Sequence, residues 1–430
     1  MSTADLAPAA EPAAGAQAMP IPADTLKRPL DTASSTPADD AEAPPAKRAR
    51  LESTSPPETA CPAADLAQSS ARYRTGLFLA PMVRIGTLTT RLIALENGAS
   101  LVWGPEIIDK AMIGCRRVER PEDGGVVRYV RTGDASVWET HPIEKSRLIY
   151  QMGSADPELA VEAAKIVQND VSGIDLNCGC PKPFSTHSGM GAALLQTPDL
   201  LCSILRALVA NIDLPISCKI RMLPDQDRTI ALVRQVCSTG ISCLTIHCRT
   251  PSMRDREAAL LHRLRELVDV AAEYGVPVVA NGDCFGYADG DRIREQTGVT
   301  SLMIARGAEA NPTCFRPDGP RDPIGYVIPT YLRLARLTAH SYSNVKYCLS
   351  AGSLAPLSKK QRGPHKAAIS QAKTFEQLCA SFGVDPAARE SVEELCPTLA
   401  AAVNWQGASA PVEQLVAGEP VPSAQAVVEA

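Results

Sequence analysis

No apolar run in this 430-residue chain approaches the roughly 20 residues that a bilayer-spanning helix needs, so no membrane segment is expected. The N-terminal stretch is acidic and rich in Ala and Pro. It has neither the charged-then-apolar order of a secretory signal nor the Arg-rich, acid-poor character of a transit peptide, and the expected location is cytoplasmic and/or nuclear. A Cys-x-x-Cys pair is missing, as is a histidine at zinc-site spacing, so no metal site is expected. The Gly-x-x-x-x-Gly-Lys-Ser/Thr loop does not occur, which disfavours a nucleoside triphosphate. Nor does a Gly-x-Gly-x-x-Gly turn follow the first strand, which disfavours a doubly wound dinucleotide-binding sheet. A net charge of −5 argues against indiscriminate coating of nucleic acid, although a whole-chain sum can hide a local basic face.

Fourteen cysteines are scattered along the chain, a pattern suited to a reducing compartment where thiols serve as small core residues. Residues 1–72 are mostly Ala, Pro, Ser, Thr and Asp; too little apolar surface is available there to offset chain entropy, and disorder is expected. Within that tail, Pro45-Ala46-Lys47-Arg48-Ala49-Arg50-Leu51 reads as a nuclear import signal that an importin would bind, or else as a solvated charge run. From Thr75 the texture changes. Short apolar strands are expected at Leu77–Ala80, Leu101–Trp103, Arg147–Gln151, Val171–Leu176, Leu214–Ile220, Cys243–His247, Val276–Ala280 and Thr300–Ala305. Helical stretches such as Leu200–Val209, Thr229–Cys237 and Leu260–Ala272 lie between them. The charged stretch from Ala111 to Glu144 suits a hairpin or surface insertion. This alternation predicts an α/β fold, a (β/α)8 TIM barrel over residues 73–320. Tyr331–Leu337, Asn344–Leu349 and Ala368–Phe382 then predict a small all-α domain over 321–406, and residues 407–430 a second unstructured tail.

Nearly every predicted strand ends in a residue with chemical potential. The first gives Pro81-Met82, the third Gln151, the fourth Asn177 and Cys180, the fifth Lys219 and Arg221. The sixth gives His247 and Arg249, the seventh Asn281-Gly282-Asp283, the eighth Ala305-Arg306-Gly307. Singly, each has a plain structural reading; together they mark the end of the barrel where catalysis takes place. The seventh and eighth strand ends suit a phosphate, through backbone N–H groups near Gly282 and Gly307 and the Arg306 guanidinium. Flavin mononucleotide fits that pattern: Gln151 would meet a pyrimidine-like ring edge, and the Lys219 cation would stabilise negative charge on a reduced ring.

Leu79-Ala80-Pro81-Met82-Val83-Arg84-Ile85-Gly86-Thr87-Leu88, Asp175-Leu176-Asn177-Cys178-Gly179-Cys180-Pro181-Lys182 and Cys218-Lys219-Ile220-Arg221 strongly resemble the tRNA-dihydrouridine synthases. The Trp103-Gly104-Pro105-Glu106 turn and Asn344-Val345-Lys346-Tyr347-Cys348-Leu349 look most like the eukaryotic branch acting on the D-loop uridine at position 20. The resemblance implies FMN contacts from Pro81, Met82, Val83, Gln151, Lys219, His247, Asn281, Gly282, Asp283, Ala305 and Arg306. It implies that Cys180, not Cys178, is the catalytic proton donor, with substrate contacts from Asn177, Arg221, Arg249 and Lys346. Reduction of the uracil C5–C6 bond would take a hydride at C6 from reduced FMN and a proton at C5 from the thiol, with NADPH or NADH reloading the flavin. Cys248 stands where the family usually has Gly, and is expected to crowd the backbone beside the flavin. A double-stranded-RNA-binding domain, which some animal members carry, is not found.

Binding of tRNA would then fall to the barrel and the helical domain. Between Ile324 and Thr374 there is no Asp or Glu, while Arg333, Arg336, Lys346, Lys359, Lys360, Arg362, Lys366 and Lys373 are present, with Tyr326, Tyr331, Tyr342 and Tyr347 interleaved. The Lys182–Gly191 loop is expected to be flexible and to close over a flipped-out base. Two other readings stand beside this one: a barrel flavoprotein acting on a free pyrimidine, of the dihydroorotate type, and a non-catalytic tRNA-binding protein.

Overall fold

Eight parallel strands close on themselves in the computed structural model, which describes residues 68–132, 136–354 and 357–406. The import-like cluster at 45–51, most of the 1–72 tail and the 407–430 tail lie outside the described residues. The barrel strands are β1 (Gly76–Leu79), β2 (Leu101–Trp103), β7 (Leu148–Gly153), β8 (Gly173–Cys178), β9 (Ile216–Arg221), β10 (Cys243–His247), β11 (Val278–Asn281) and β12 (Ser301–Ile304). Closure comes from β1, which pairs with both β2 and β12, and from β2 pairing with β7. A two-residue β3 (Ile107–Ile108) runs beside the end of β7. The expected TIM barrel is the observed one.

Side-chain alternation along these strands decides what the barrel contains. Phe78, Ala80, Leu101, Trp103, Ile149, Cys243, Val279 and Met303 form an inner cluster, joined by Tyr73 from the turn before β1. Their neighbours of opposite parity, such as Leu77, Leu79, Val102, Leu148, Leu244, Val278 and Leu302, belong to the outer core. Carried towards the C-terminal ends, the inner parity leads to Gln151, His247, Asn281 and Ala305. Register adds the rest: Gln151 pairs with Asp175, Asn177 with Lys219, and Arg221 with His247. A full circuit of inward-facing polar groups at one end is therefore a product of strand pairing.

Strand limits differ from expectation in ways proline explains. Pro215 and Pro277 have no N–H for the ladder, so β9 and β11 begin just after them rather than at Leu214 and Val276. Between β3 and β7, β4 (Arg116–Arg120), β5 (Val126–Val130) and β6 (Ser136–Thr140) form a three-stranded antiparallel sheet, one strand more than a hairpin. Arg117 anchors it with two hydrogen bonds to Asp170, of 2.6 and 2.9 Å.

The C-terminal part is helical, and all described residues fall in one compact unit. The single helix expected over Ala368–Phe382 is two, Lys359–Gln371 and Phe375–Ala380. A capping box between Ser358 and Gln361 starts the first ahead of Gly363-Pro364, a pair that reads as a breaker in sequence. Thr374 caps the second. The segment at 338–344 is pinned to the loop after β1 and to the antiparallel sheet: the Asn344 amide donates to the Arg84 carbonyl (2.8 Å), Arg128 to the Thr338 carbonyl (2.8 Å), and His340 meets Glu139 at 3.1 Å.

Candidate active site

Cys180 lies two residues past the end of β8, on a turn that other parts of the chain hold in place. The Asn177 side-chain oxygen accepts from the N–H groups of Gly179 (2.9 Å) and Cys180 (3.1 Å), an Asx turn. Arg221 Nε donates to the Gly179 carbonyl (2.8 Å), and Ala192 N–H to the Cys180 carbonyl (2.9 Å). A Cβ at Gly191 would stand 2.6 Å from the Cys180 carbonyl oxygen and 2.4 Å from Ser185 Oγ; that position, at φ +59°, must stay bare. Asn177 and Arg221, expected to touch substrate, thus position the thiol: the Asn177 oxygen is used up by the turn, and one edge of Arg221 by Gly179 and Thr250. The Lys182–Gly191 segment is no open loop, since it holds a helical turn at Pro183–Thr186.

The two neighbouring thiols have different fates. Cys178 is fully buried in the barrel wall, with its sulfur 3.6 Å from that of Cys218. Cys180 is half-buried at the mouth. Burial pushes its thiol up, and the Glu106 carboxylate adds to this, while a backbone hydrogen bond at Lys182 and the Lys182 charge oppose it. A thiol so placed keeps its proton at neutral pH, which suits an acid better than a nucleophile.

Lys219, directly across the ladder from Asn177, is surrounded by protein but keeps part of its surface open to the mouth. Burial, reinforced by Arg221, pulls its pKa down to about 8; Asp175 pulls the other way. Asp175 is fully buried, accepts from Gln151 (2.8 Å) and Ser217 (2.6 Å), and is held above the usual carboxylate range by burial. Sequence reading missed Asp175. The signal was an acidic residue at the inward parity of an otherwise apolar strand, two before Asn177.

On the far side, Arg221, His247, Arg249, Met253, Asp255, Asn281, Gly282, Asp283, Cys284, Ala305 and Arg306 line a cavity of about 160 Å³, three arginines facing two aspartates. Burial first, then the four cations Lys219, Arg221, Arg249 and Arg306, depress His247 far below the usual imidazole range, so it is neutral. Asp283 is not a free ligand group. Its carboxylate bridges the Arg249 and Arg306 guanidinium groups and accepts from Ala259 N–H at 2.6 Å, which holds its pKa low. An anionic group so engaged orients the two arginines and does not face a phosphate. Arg249 is buried with them, accepted by the Glu257 carbonyl at 2.8 Å, which puts it at the phosphate-like end and not beside Cys180. Cys248 turns its sulfur towards the Ile246 carbonyl and is fully buried, with its Cβ 3.7 Å from where a Cβ at Gly282 would stand.

The cavity suits a flavin phosphate. Gly282 has φ +135°, and a Cβ there would lie 3.0 Å from Ala259 Cβ and 3.5 Å from Arg249 Nη1, filling the cradle. At Gly307 a Cβ would lie 1.9 Å from the Phe285 carbonyl oxygen, so the two loops meet backbone to backbone. Arginines outnumber carboxylates on the lining, which favours an anion. Pro81 and Met82 are half-buried, and Val83 is exposed beside the mouth. Lys346 is elsewhere: its ammonium donates to the carbonyls of Ser370 (3.1 Å) and Ala372 (2.9 Å), closing the end of the 359–371 helix.

Among the basic and aromatic residues of the helical part, Arg333 pairs with Glu390, Arg336 donates to the Ala388 carbonyl, and Tyr331 is buried. Lys359, Lys360, Lys366 and Lys373 are exposed on or just after one helix. Tyr347 is exposed under the Arg84 guanidinium, 3.7 Å from its ring centre.

Residues 78–378 match the family described as Dihydrouridine synthase (Dus). The chain is 45% identical over 334 residues to the tRNA-dihydrouridine(20) synthase [NAD(P)+] of Schizosaccharomyces pombe, covering 76% of this chain and 68% of that protein. It is 44% identical over 299 residues to the protein of the same name from Saccharomyces cerevisiae, covering 65% of this chain and 77% of that one. A tRNA-dihydrouridine(20a/20b) synthase [NAD(P)+] from Saccharomyces cerevisiae is more distant, at 33% over 237 residues, covering 55% of this chain and 60% of that protein. With its barrel, its mouth and most of its helical part inside the matched span, the chain belongs to the dihydrouridine synthase family.

Proposed function

We propose that this protein reduces the C5–C6 double bond of a D-loop uridine in tRNA, at position 20, to 5,6-dihydrouridine. The observation that carries the reading is the half-buried Cys180, its thiol pushed up by burial, locked by Asn177 and Arg221 on the turn beyond β8, with Asn177 paired across the ladder with Lys219. Relatives named tRNA-dihydrouridine(20) synthase [NAD(P)+] support the substrate and its position.

FMN would be held by Pro81, Met82, Val83, Gln151, Lys219, His247, Asn281, Gly282, Ala305 and Arg306, with Asp283 aligning Arg306 and Arg249. When bound, the flavin supplies the hydride for C6 and is reloaded by NADPH or NADH. Cys180 delivers the proton to C5. General acids of this kind contribute about 10²–10⁴ in rate. Lys219, with Asp175 behind it, sets a positive charge where negative charge gathers on the ring. Neutral His247 offers a hydrogen bond without adding a further cation. The exposed lysines of the 359–371 helix supply phosphate contacts to tRNA, a sequence-independent and salt-sensitive term.

Mass spectrometry of tRNA from cells lacking the protein tests this reading. The expected result is a single D-loop position that stays uridine and regains dihydrouridine when the wild-type gene is restored. Unchanged dihydrouridine at every position would overturn it.

A further inference from the structure

Each product molecule takes up one proton through Cys180, and a half-buried thiolate is left behind. Two polar atoms beside that sulfur stand out. Glu106 Oε1 and Ser185 Oγ are both buried and neither makes a hydrogen bond of good geometry, although the Glu106 carboxyl lies within interaction range of Cys180, Asn177 and Ser185. The fold makes room for them on two sides. A Cβ at Gly153, the last residue of β7, would stand 2.6 Å from Glu106 Oε1, and one at Gly191 would stand 2.4 Å from Ser185 Oγ. Glu106 itself follows β2 on the Trp103-Gly104-Pro105-Glu106 turn, so the barrel aims it at the mouth.

The groups that face Glu106 are Cys180, Asn177 and Ser185, with Met190 on the far side of Gly153. The charges around the thiol are Lys182, Lys219 and Arg221. Burial raises the Glu106 carboxyl to about 6, against the pull of its three polar neighbours. Such a group carries a proton for about a tenth of the time at pH 7 and regains it quickly from water.

We propose that Glu106 restores the proton of Cys180 after each turnover. The inference rests on the reading of Cys180 as the acid of uridine reduction. In the first transfer the S–H bond breaks as C5 gains its proton. In the second the carboxyl O–H of Glu106 breaks as the thiolate is protonated, and the carboxylate takes a proton from solvent. Neither transfer moves electrons between groups; the reductant remains NAD(P)H, through the flavin. In this reading Glu106 acts through Cys180, as a proton-supplying residue.

The test compares Glu106→Gln with wild type, both full-length and flavin-loaded, in three measurements. In a single turnover with pre-reduced flavin and tRNA, Cys180 starts protonated, and the variant should stay within about 2-fold of wild type, whereas its steady-state rate should fall about 10-fold or more. Wild-type turnover should decline as pH rises above about 6, and the variant should lose that decline and be accelerated by imidazolium buffer. Alkylation of Cys180, followed by peptide mass spectrometry, should reach its midpoint at lower pH in the variant, because a negative neighbour has been removed. Steady-state turnover equal to wild type, a single turnover slowed as much as steady state, or an unmoved alkylation midpoint each overturns the relay. Should Glu106→Gln not fold, Glu106→Asp must retain the decline with pH, and its loss would overturn the relay too. Wild-type protein that forms no dihydrouridine overturns the proposed function instead.

Discussion

The barrel mouth and the helical part both carry several positive charges, yet the chain uses them differently. At the mouth, Lys219, Arg221, Arg249 and Arg306 converge, with Asp283 alone bridging two of them. In the helical part, Arg333, Arg336 and Lys346 are turned inward, onto Glu390 and onto the carbonyls of Ala388, Ser370 and Ala372, while the lysines on and just after the 359–371 helix stay exposed, as does Arg389. A strand fixes the facing direction of every second residue, so its charges go where the barrel axis is. A helix turns by roughly 100° per residue, and the fate of its charges depends on what packs beside it. The lesson is that a basic stretch in a helical segment is a weaker indication of a ligand than a cation at the end of a barrel strand.

The widest separation should come from the two thiols. Cys180→Ala should lower dihydrouridine formation by about 10²–10⁴ while NADPH still bleaches the flavin, and Cys178→Ala should keep product formation per folded molecule. Equal losses in the two would erase the distinction. Next in size, Arg306→Ala removes a charge proposed to meet the phosphate and should weaken FMN retention by roughly 10- to 100-fold, read by fluorescence of released flavin. Lys359→Ala, Lys360→Ala and Lys366→Ala combined should raise the KM for tRNA and flatten the salt dependence of binding by up to about three units of slope, with NADPH oxidation by an artificial acceptor unchanged. A smaller effect is expected of Lys219. Its pKa is about 8 in the folded flavin-free protein against 10.5 for an ordinary lysine, so folding releases its proton between those values, and stability should gain with rising pH in that window. Lys219→Met should remove that gain, as read by urea denaturation. Smallest of all, Lys346→Met should cost about 1 kcal/mol of stability and leave the salt dependence of tRNA binding untouched. A steep fall in tRNA affinity instead would restore Lys346 to the substrate.

All eight strands were legible in the sequence, because apolar runs bounded by Gly, Pro and polar residues leave few other options. Their ends were read well enough to bring Gln151, Asn177, Lys219, His247, Asn281 and Arg306 to one rim. What escaped was division of labour among neighbours. Asn177 is read as a ligand group, but its oxygen is captured by two N–H groups of its own turn. Asp283 lies beside Gly282 in sequence, yet three partners fix it. Asp175 and Glu106 were passed over because their importance comes from residues 24 to 79 positions away, which no local pattern reveals.

The turn at 177–180 is tied to Arg221 on the next strand and to Ala192 in the segment that follows it. No isolated peptide of this sequence would therefore present its sulfur in a defined place. The hairpin-scale folding of β8 alone is insufficient; the following strand and crossover must dock first, so reactivity arrives together with cooperative tertiary structure. A nascent or partly unfolded chain has the same cysteine but not its fixed position.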